Sequence, residues 1–154
     1  MLRKLLLPTL LALCVAALPQ KAAASDDFSG SFLVTITDST GAVASRSVIT
    51  LHSDHSVAVI DSGQEGGAVS FSSQLGSWEH ARHGVVKART IDFSFPFATQ
   101  GLARVDYTFN SGVPGNHVQG TITLTFFPPD GDPLGSGGTP GGTFTFSGTR
   151  VTVR

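Results

Sequence analysis

The sequence predicts an all-β fold, and the architecture that fits it best is an eight-stranded antiparallel up-and-down barrel. Apolar residues alternate with polar ones far more often than they recur at helical spacing. Turn-forming residues divide the chain into short segments of this kind, with mostly short links between them. Short links make successive strands antiparallel neighbours, and closing the meander removes both exposed edges. A two-sheet β-sandwich is the alternative, because strand count and spacing do not separate the two.

The alternation is clearest in the stretch HVQGTITLTFF. Val118, Ile122 and Phe126 share one face there, while Thr121 and Thr123 share the other. A strand with one buried face and one solvent-exposed face is typical of an antiparallel sheet that covers a core. Val105, Tyr107 and Phe109 repeat the pattern in the preceding segment. The eight predicted strands cover roughly 28–37, 42–51, 56–60, 67–79, 85–95, 102–110, 117–127 and 142–153.

The first 24 residues have the pattern of a secretory signal peptide. Arg3 and Lys4 precede an apolar run from Leu5 to Leu18, and small residues follow up to Ala24. The run is shorter than the roughly 20 residues that a spanning helix needs. We therefore expect cleavage after Ala24 and a single secreted or periplasmic β-barrel domain over residues 25–154, with no membrane anchor.

Composition limits the partners of this domain. The only cysteine, Cys14, lies in the leader, so residues 25–154 cannot form a disulfide. Three of the ten cations also lie in the leader, which leaves seven cations against eleven acids and a net charge of −4. A mildly acidic domain without a basic cluster argues against nucleic acid and anionic membranes as partners. No phosphate-binding glycine loop, nucleophile elbow or cofactor motif is present, so we predict no cofactor.

Two short motifs add a resemblance. The G-x-W triplet ending at Trp78 and the closing FTFSGTR strand, which ends at Arg150, resemble the small secreted bacterial barrels related to the calycin group and to the allene oxide cyclase barrel. The resemblance spans most of residues 25–154. It implies a barrel that can hold a small apolar molecule, and it transfers no catalytic residue. It also implies that Trp78 is buried and that Arg150 approaches its ring at one end of the barrel.

All five histidines follow even-numbered predicted strands, in the links of LHSDHS and EHARHG and just after NSGVPGN. In an up-and-down meander these links share one end of the barrel. We therefore expect one histidine-lined mouth, which is a candidate metal-binding rim. Its ligands would be His52, His55, His80, His83 and His117.

The segment VVKARTIDFSF departs from the simple pattern. Lys87 and Arg89 have the same parity as Ile91, Phe93 and Phe95. Either these cations point into the barrel, or a bulge shifts the register before Ile91. In the first case the mouth suits an amphipathic ligand whose acid group meets Arg89 or Arg150. The candidate ligand-binding residues are Trp78, Lys87, Arg89, Tyr107 and Arg150.

Three classes of function remain. A secreted barrel that binds a small apolar or amphipathic molecule is the first, and a structural or interaction protein with a filled core is the second. The interior of an eight-stranded barrel has room either for side chains or for one small ligand. The binding class and the structural class therefore differ only in how bulky the inward residues are. A cyclase- or isomerase-like enzyme is third, because Asp92 and Asp106 are predicted to face outward, away from any cavity.

Overall fold

The computed structural model describes residues 28–64, 70–82, 84–110 and 116–153. The predicted leader, Cys14 and His83 lie outside these residues. Within them the chain forms nine strands and one short helix. The strands are β1 (Gly30–Thr37), β2 (Val43–Leu51), β3 (Ser56–Asp61), β4 (Ser70–Phe71), β5 (Gln74–Arg82), β6 (Val85–Phe95), β7 (Leu102–Asn110), β8 (His117–Phe127) and β9 (Thr139–Arg150), and the helix α1 spans Phe97–Gln100.

Eight of these strands close into an antiparallel barrel, as the sequence predicts. Consecutive barrel strands pair with one another, and β9 pairs with β1 to close the circle, for example at Val34 and Gly148. The ninth strand, β4, pairs only with the end of β6, where Phe71 lies opposite Ser94. The sandwich alternative is wrong, because the β6–β7 and β1–β9 pairings leave one continuous closed sheet.

Two predicted strands differ from the observed ones. The segment predicted as one strand over 67–79 contains β4 and β5, separated at Ser72 and Ser73, and β5 continues to Arg82. The last strand begins at Thr139, where glycine-rich sequence favoured a loop, and ends at Arg150. The described residues contain no helix long and apolar enough to cross a membrane.

Strand β6 fits neither interpretation of its sequence completely: its cations face outward, as the bulge interpretation has them, but no bulge is present and Ile91, Phe93 and Phe95 face outward too. Its inward residues are Val86, Ala88, Thr90, Asp92 and Ser94, and all five are buried. The register of β6 against β7 is continuous from Val85 to Phe93, so no bulge separates the cations from Ile91. The residues that alternate with these five, which include Lys87, Arg89 and the large apolar residues, therefore lie on the outer surface.

The two ends of the barrel differ. We call the end that carries the links after β2, β5 and β7 the histidine end, and the other end the cavity end. Towards the histidine end the interior is filled by large buried side chains such as Phe32, Phe109, Leu51 and Trp78. Packing is close enough there that a Cβ at Gly120 would meet the Phe146 ring. Towards the cavity end β2, β6 and β7 place smaller residues inside, namely Ser45, Ser94 and Ala103.

Candidate functional site

A cavity of about 360 Å³ occupies the barrel interior near the cavity end. This volume is within the usual range of small-molecule sites, about 300–1,000 Å³. One wall is apolar and comes from β1, β7, β8 and β9. The other wall is polar and comes from β2, β3, β5 and β6. The principal lining residues are Ile36, Val105, Ile122, Leu124 and Phe144 on the apolar side, and Ser45, Asp61, Gln74, Asp92 and Ser94 on the polar side.

Asp92 is the most unusual group in this lining. Its side chain is only 3% exposed, and its Oδ1 atom has no hydrogen-bond partner within the described residues. Burial favours the neutral acid and raises the pKa of Asp92 from 3.8 to about 7. A buried carboxyl with an unsatisfied oxygen is costly to the fold, and such groups call for an explanation beyond packing.

Three polar side chains form a hydrogen-bonded group beside Asp92. Tyr107 Oη donates to Gln74 Oε1 at 2.6 Å, and Thr90 Oγ1 donates to the same oxygen at 2.9 Å. Both hydrogen bonds are buried, so they fix Gln74 against the barrel wall. Burial raises the pKa of Tyr107, and the carboxylates of Asp61 and Asp92 raise it further. The phenol is therefore a fixed hydrogen-bond donor in this wall.

Asp61 ends β3 at the mouth of the cavity. Its Oδ2 atom accepts hydrogen bonds from Ser45, at 2.8 Å, and from the buried Ser47. Its Oδ1 atom accepts one from the backbone N–H of Gly63 at 2.7 Å. The Asp61 carboxyl, unlike that of Asp92, is thus satisfied by the protein. Phe71 of β4 also lines the cavity, and its backbone N–H donates to the carbonyl of Gln64 at 3.0 Å.

The structure separates the predicted ligand-binding residues. Only Tyr107 lines the cavity. Lys87 and Arg89 face outward on β6, where Arg89 Nε lies 2.6 Å from Asp106 Oδ1 and its side chain is 47% exposed. The prediction that these cations point into the lumen, and the alternative that a bulge displaces them, are both wrong. The reason is that the small and polar alternate residues of β6 face inward.

Trp78 and Arg150 lie at the histidine end, away from the cavity. Trp78 is 6% exposed, which confirms its predicted burial, and its Nε1 donates to the carbonyl of His52 at 2.8 Å. The predicted contact between Arg150 and Trp78 is wrong. The Arg150 guanidinium lies 4.8 Å from the ring centre of Phe32 and donates to the carbonyl of Ser29. The guanidinium occupies the space that a side chain at Gly30 would need, so glycine at this position makes room for it.

The described histidines share one end, as the meander predicts. His55 and His80 both pack against the Trp78 ring, with ring-centre distances of 4.8 and 5.3 Å. His52 precedes His55 in the β2–β3 link, and His117 begins β8 at the same end. Within the described residues no three metal-ligating side chains are grouped closely enough to hold an ion. Since His83 lies outside these residues, the metal rim stays a prediction.

The sequence pattern identifies Tyr107 as a candidate but not Asp92, the buried carboxyl of the cavity. The alternation in β6 predicts that Asp92 faces outward, because Ile91, Phe93 and Phe95 form the more apolar of its two sets, but Phe93 and Phe95 are the exposed residues. The pairing of β6 with β7 does indicate that Asp92 faces the interior. Asp92 lies opposite Ala103 and Ala88 lies opposite Tyr107, and both of these β7 residues face inward.

Comparison with protein-family models, with curated proteins and with solved structures gave no significant match to this chain.

Proposed function

We propose that the barrel binds one small amphipathic molecule in the cavity, with its apolar body against the wall formed by Ile36, Val105, Ile122 and Phe144. The single observation that carries the proposal is the buried Asp92 carboxyl, which lines this cavity and whose Oδ1 has no hydrogen-bond partner among the described residues. A bound molecule would supply the missing hydrogen bond and remove part of the cost of burial.

The contrast between the two halves of the barrel supports a binding role over a purely structural one. Large aromatic and aliphatic side chains fill the histidine end, so the sequence is able to pack this interior. Near the cavity end the same strands carry Ala103, Ser94 and Ser45, which leave space. Empty volume in a core costs stability. This cavity lies beside the polar wall with the buried Asp92, which favours a ligand as its occupant.

An isomerase- or cyclase-like enzyme is the second candidate. The expectation that Asp92 faces outward, which had placed this class last, is wrong, and a carboxyl with a pKa of about 7 is well suited to move a proton at neutral pH. Against catalysis, the described lining has no cation to stabilise a developing negative charge. Exchange of the α-hydrogens of cyclohexanone with D2O, lost in Asp92→Asn, would favour the enzyme.

The binding proposal is tested by filling the cavity. We expect calorimetry to detect binding of 1-octanol, a neutral amphiphile, to the purified protein. Leu124→Trp places an indole in the cavity and should abolish that binding. Leu33→Trp, which adds the same ring on the outer face of β1, should leave it unchanged. Octanol binding that survives Leu124→Trp would contradict the proposal, and so would a failure of octanol and of its charged analogues octylammonium and octanoate to bind the unaltered protein.

The proposal includes export of the domain to a secreted or periplasmic location. It is supported by the charged start, apolar run and small-residue end of the first 24 residues. N-terminal sequencing of the extracellular or periplasmic fraction, with the expected first residue Ser25, tests it.

A further inference from the structure

We infer that the ligand's polar end is a protonated amine and that Asp92 is the group that receives it. The inference rests on the proposed function and specifies its ligand. It replaces the expectation of a ligand acid group, because Arg89 is outside the barrel and Arg150 is at the other end.

The charges that face the cavity have one sign. The described lining includes the carboxyl groups of Asp61 and Asp92 and contains no lysine, arginine or histidine. An anionic ligand would therefore meet no opposite charge in this lining, and above the pKa of Asp92 it would be repelled by that carboxylate as well as by Asp61. A cation would meet opposite charge there.

Aromatic rings complete the surroundings that suit a cation. Phe71, Tyr107, Phe126 and Phe144 all line the same cavity. Ring faces attract ammonium groups, and the attraction grows as water is removed. An aliphatic or aromatic amine with a compact apolar body would thus find a carboxylate, ring faces and an apolar wall within one site.

Binding of an amine is coupled to release of a proton. The titratable groups facing Asp92 are Asp61 from β3 and Tyr107 from β7, while the lining from β1, β2, β5, β8 and β9 is uncharged within the described residues. Without ligand, burial favours the protonated Asp92 acid. When the ammonium arrives, Asp92 gives its proton to water, and an ammonium N–H donates to the resulting carboxylate. One proton leaves for each amine bound below the pKa of Asp92.

Three probes with the same eight-carbon chain separate the possibilities, namely octylammonium, 1-octanol and octanoate, each titrated calorimetrically. At about pH 8 we expect octylammonium to bind about tenfold or more tightly than octanol, with octanoate weakest. The affinity for octylammonium should rise by up to about tenfold per pH unit from pH 5 to 7 and level off above about 7. Buffers of different ionisation enthalpy should report nearly one proton released at about pH 6.

Variants assign the effect to Asp92. Asp92→Asn should remove the preference for the amine and its pH dependence while octanol still binds. Asp106→Asn, which removes a carboxyl from the outer surface, should change neither. If octanol or octanoate binds as well as octylammonium, the amine inference fails and the cavity proposal stands. If none of the three binds, both fail. The proton count is measured on the unaltered protein, so it decides the inference even where a variant does not fold.

Discussion

Tyr107 on β7 and Gln74 on β5 are joined by a hydrogen bond of 2.6 Å across the inner face of β6, the strand between them. Thr90 of β6 donates to the same Gln74 oxygen. Three consecutive strands are therefore tied together inside the barrel, next to Asp92. This link defines one polar wall of the cavity and keeps the tyrosine ring packed against Phe109 and Phe146.

The hydroxyls of Tyr107 and Thr90 donate to the same oxygen of Gln74, so each should partly compensate for loss of the other. Tyr107→Phe keeps the ring contacts and removes one of two donors to Gln74, so we expect it to lower the free energy of unfolding by about 1–2 kcal/mol. Thr90→Val should cost a similar amount. The double variant leaves the buried Gln74 oxygen without either donor and should cost more than the sum of the two. Urea unfolding measures all three, and strictly additive losses would show that the oxygen finds another partner.

Asp92 should make the protein less stable as pH rises. Burial raises its pKa from 3.8 to about 7, so the folded state holds a proton that the unfolded state has lost between these values. The contribution of Asp92 to the free energy of unfolding is therefore largest below about pH 4, decreases between about pH 4 and 7, and stays constant above about pH 7. The total decline is up to about 4 kcal/mol.

Comparison with Asp92→Asn isolates this effect by urea unfolding between about pH 4 and 8. The variant should lack the decline and should be more stable than the unaltered protein at pH 8. The surface carboxyls Asp38 and Asp54 have lowered pKa values because of hydrogen bonds from Thr40 and Ser56. Their contributions are lost only as pH falls below about 4 and are common to both proteins. Parallel pH profiles would mean that Asp92 is ionised in the folded state.

The barrel was predictable from the sequence because alternation on strands such as β8 places Val118 and Ile122 on one face and threonines on the other. The candidate site was not predictable from the same rule. Around the cavity the inward residues of β6 are small or polar, while Phe93 and Phe95 face outward. The more apolar of the two alternating sets of β6 residues is therefore not the set that faces the interior. Single-strand patterns do not show this reversal, since it depends on which side chains the neighbouring strand places inside.

Gly76, the first residue of the G-x-W triplet, should be intolerant of any side chain. A Cβ at this position would collide with the backbone carbonyl of Arg89 on β6, and backbone is not free to move aside as a side-chain tip would. We expect Gly76→Ala to destabilise the barrel by about 1–3 kcal/mol, the usual cost of overpacking. Gly137→Ala is the matched control, because a Cβ there meets no atom within 4 Å. Equal thermal midpoints for the two variants would contradict this reading.

Trp78 and Arg150 should stabilise the histidine end independently. Trp78 is buried and packs against His55 and His80, so Trp78→Ala should cost roughly 3–5 kcal/mol. Arg150→Ala should cost less, because its guanidinium contributes through the Phe32 ring and the Ser29 carbonyl. In double-mutant cycles on denaturant unfolding, Arg150→Ala should couple to Phe32→Leu more strongly than to Trp78→Phe. A larger coupling to Trp78 would place the guanidinium on the indole, as the calycin resemblance implies, and would contradict the observed geometry.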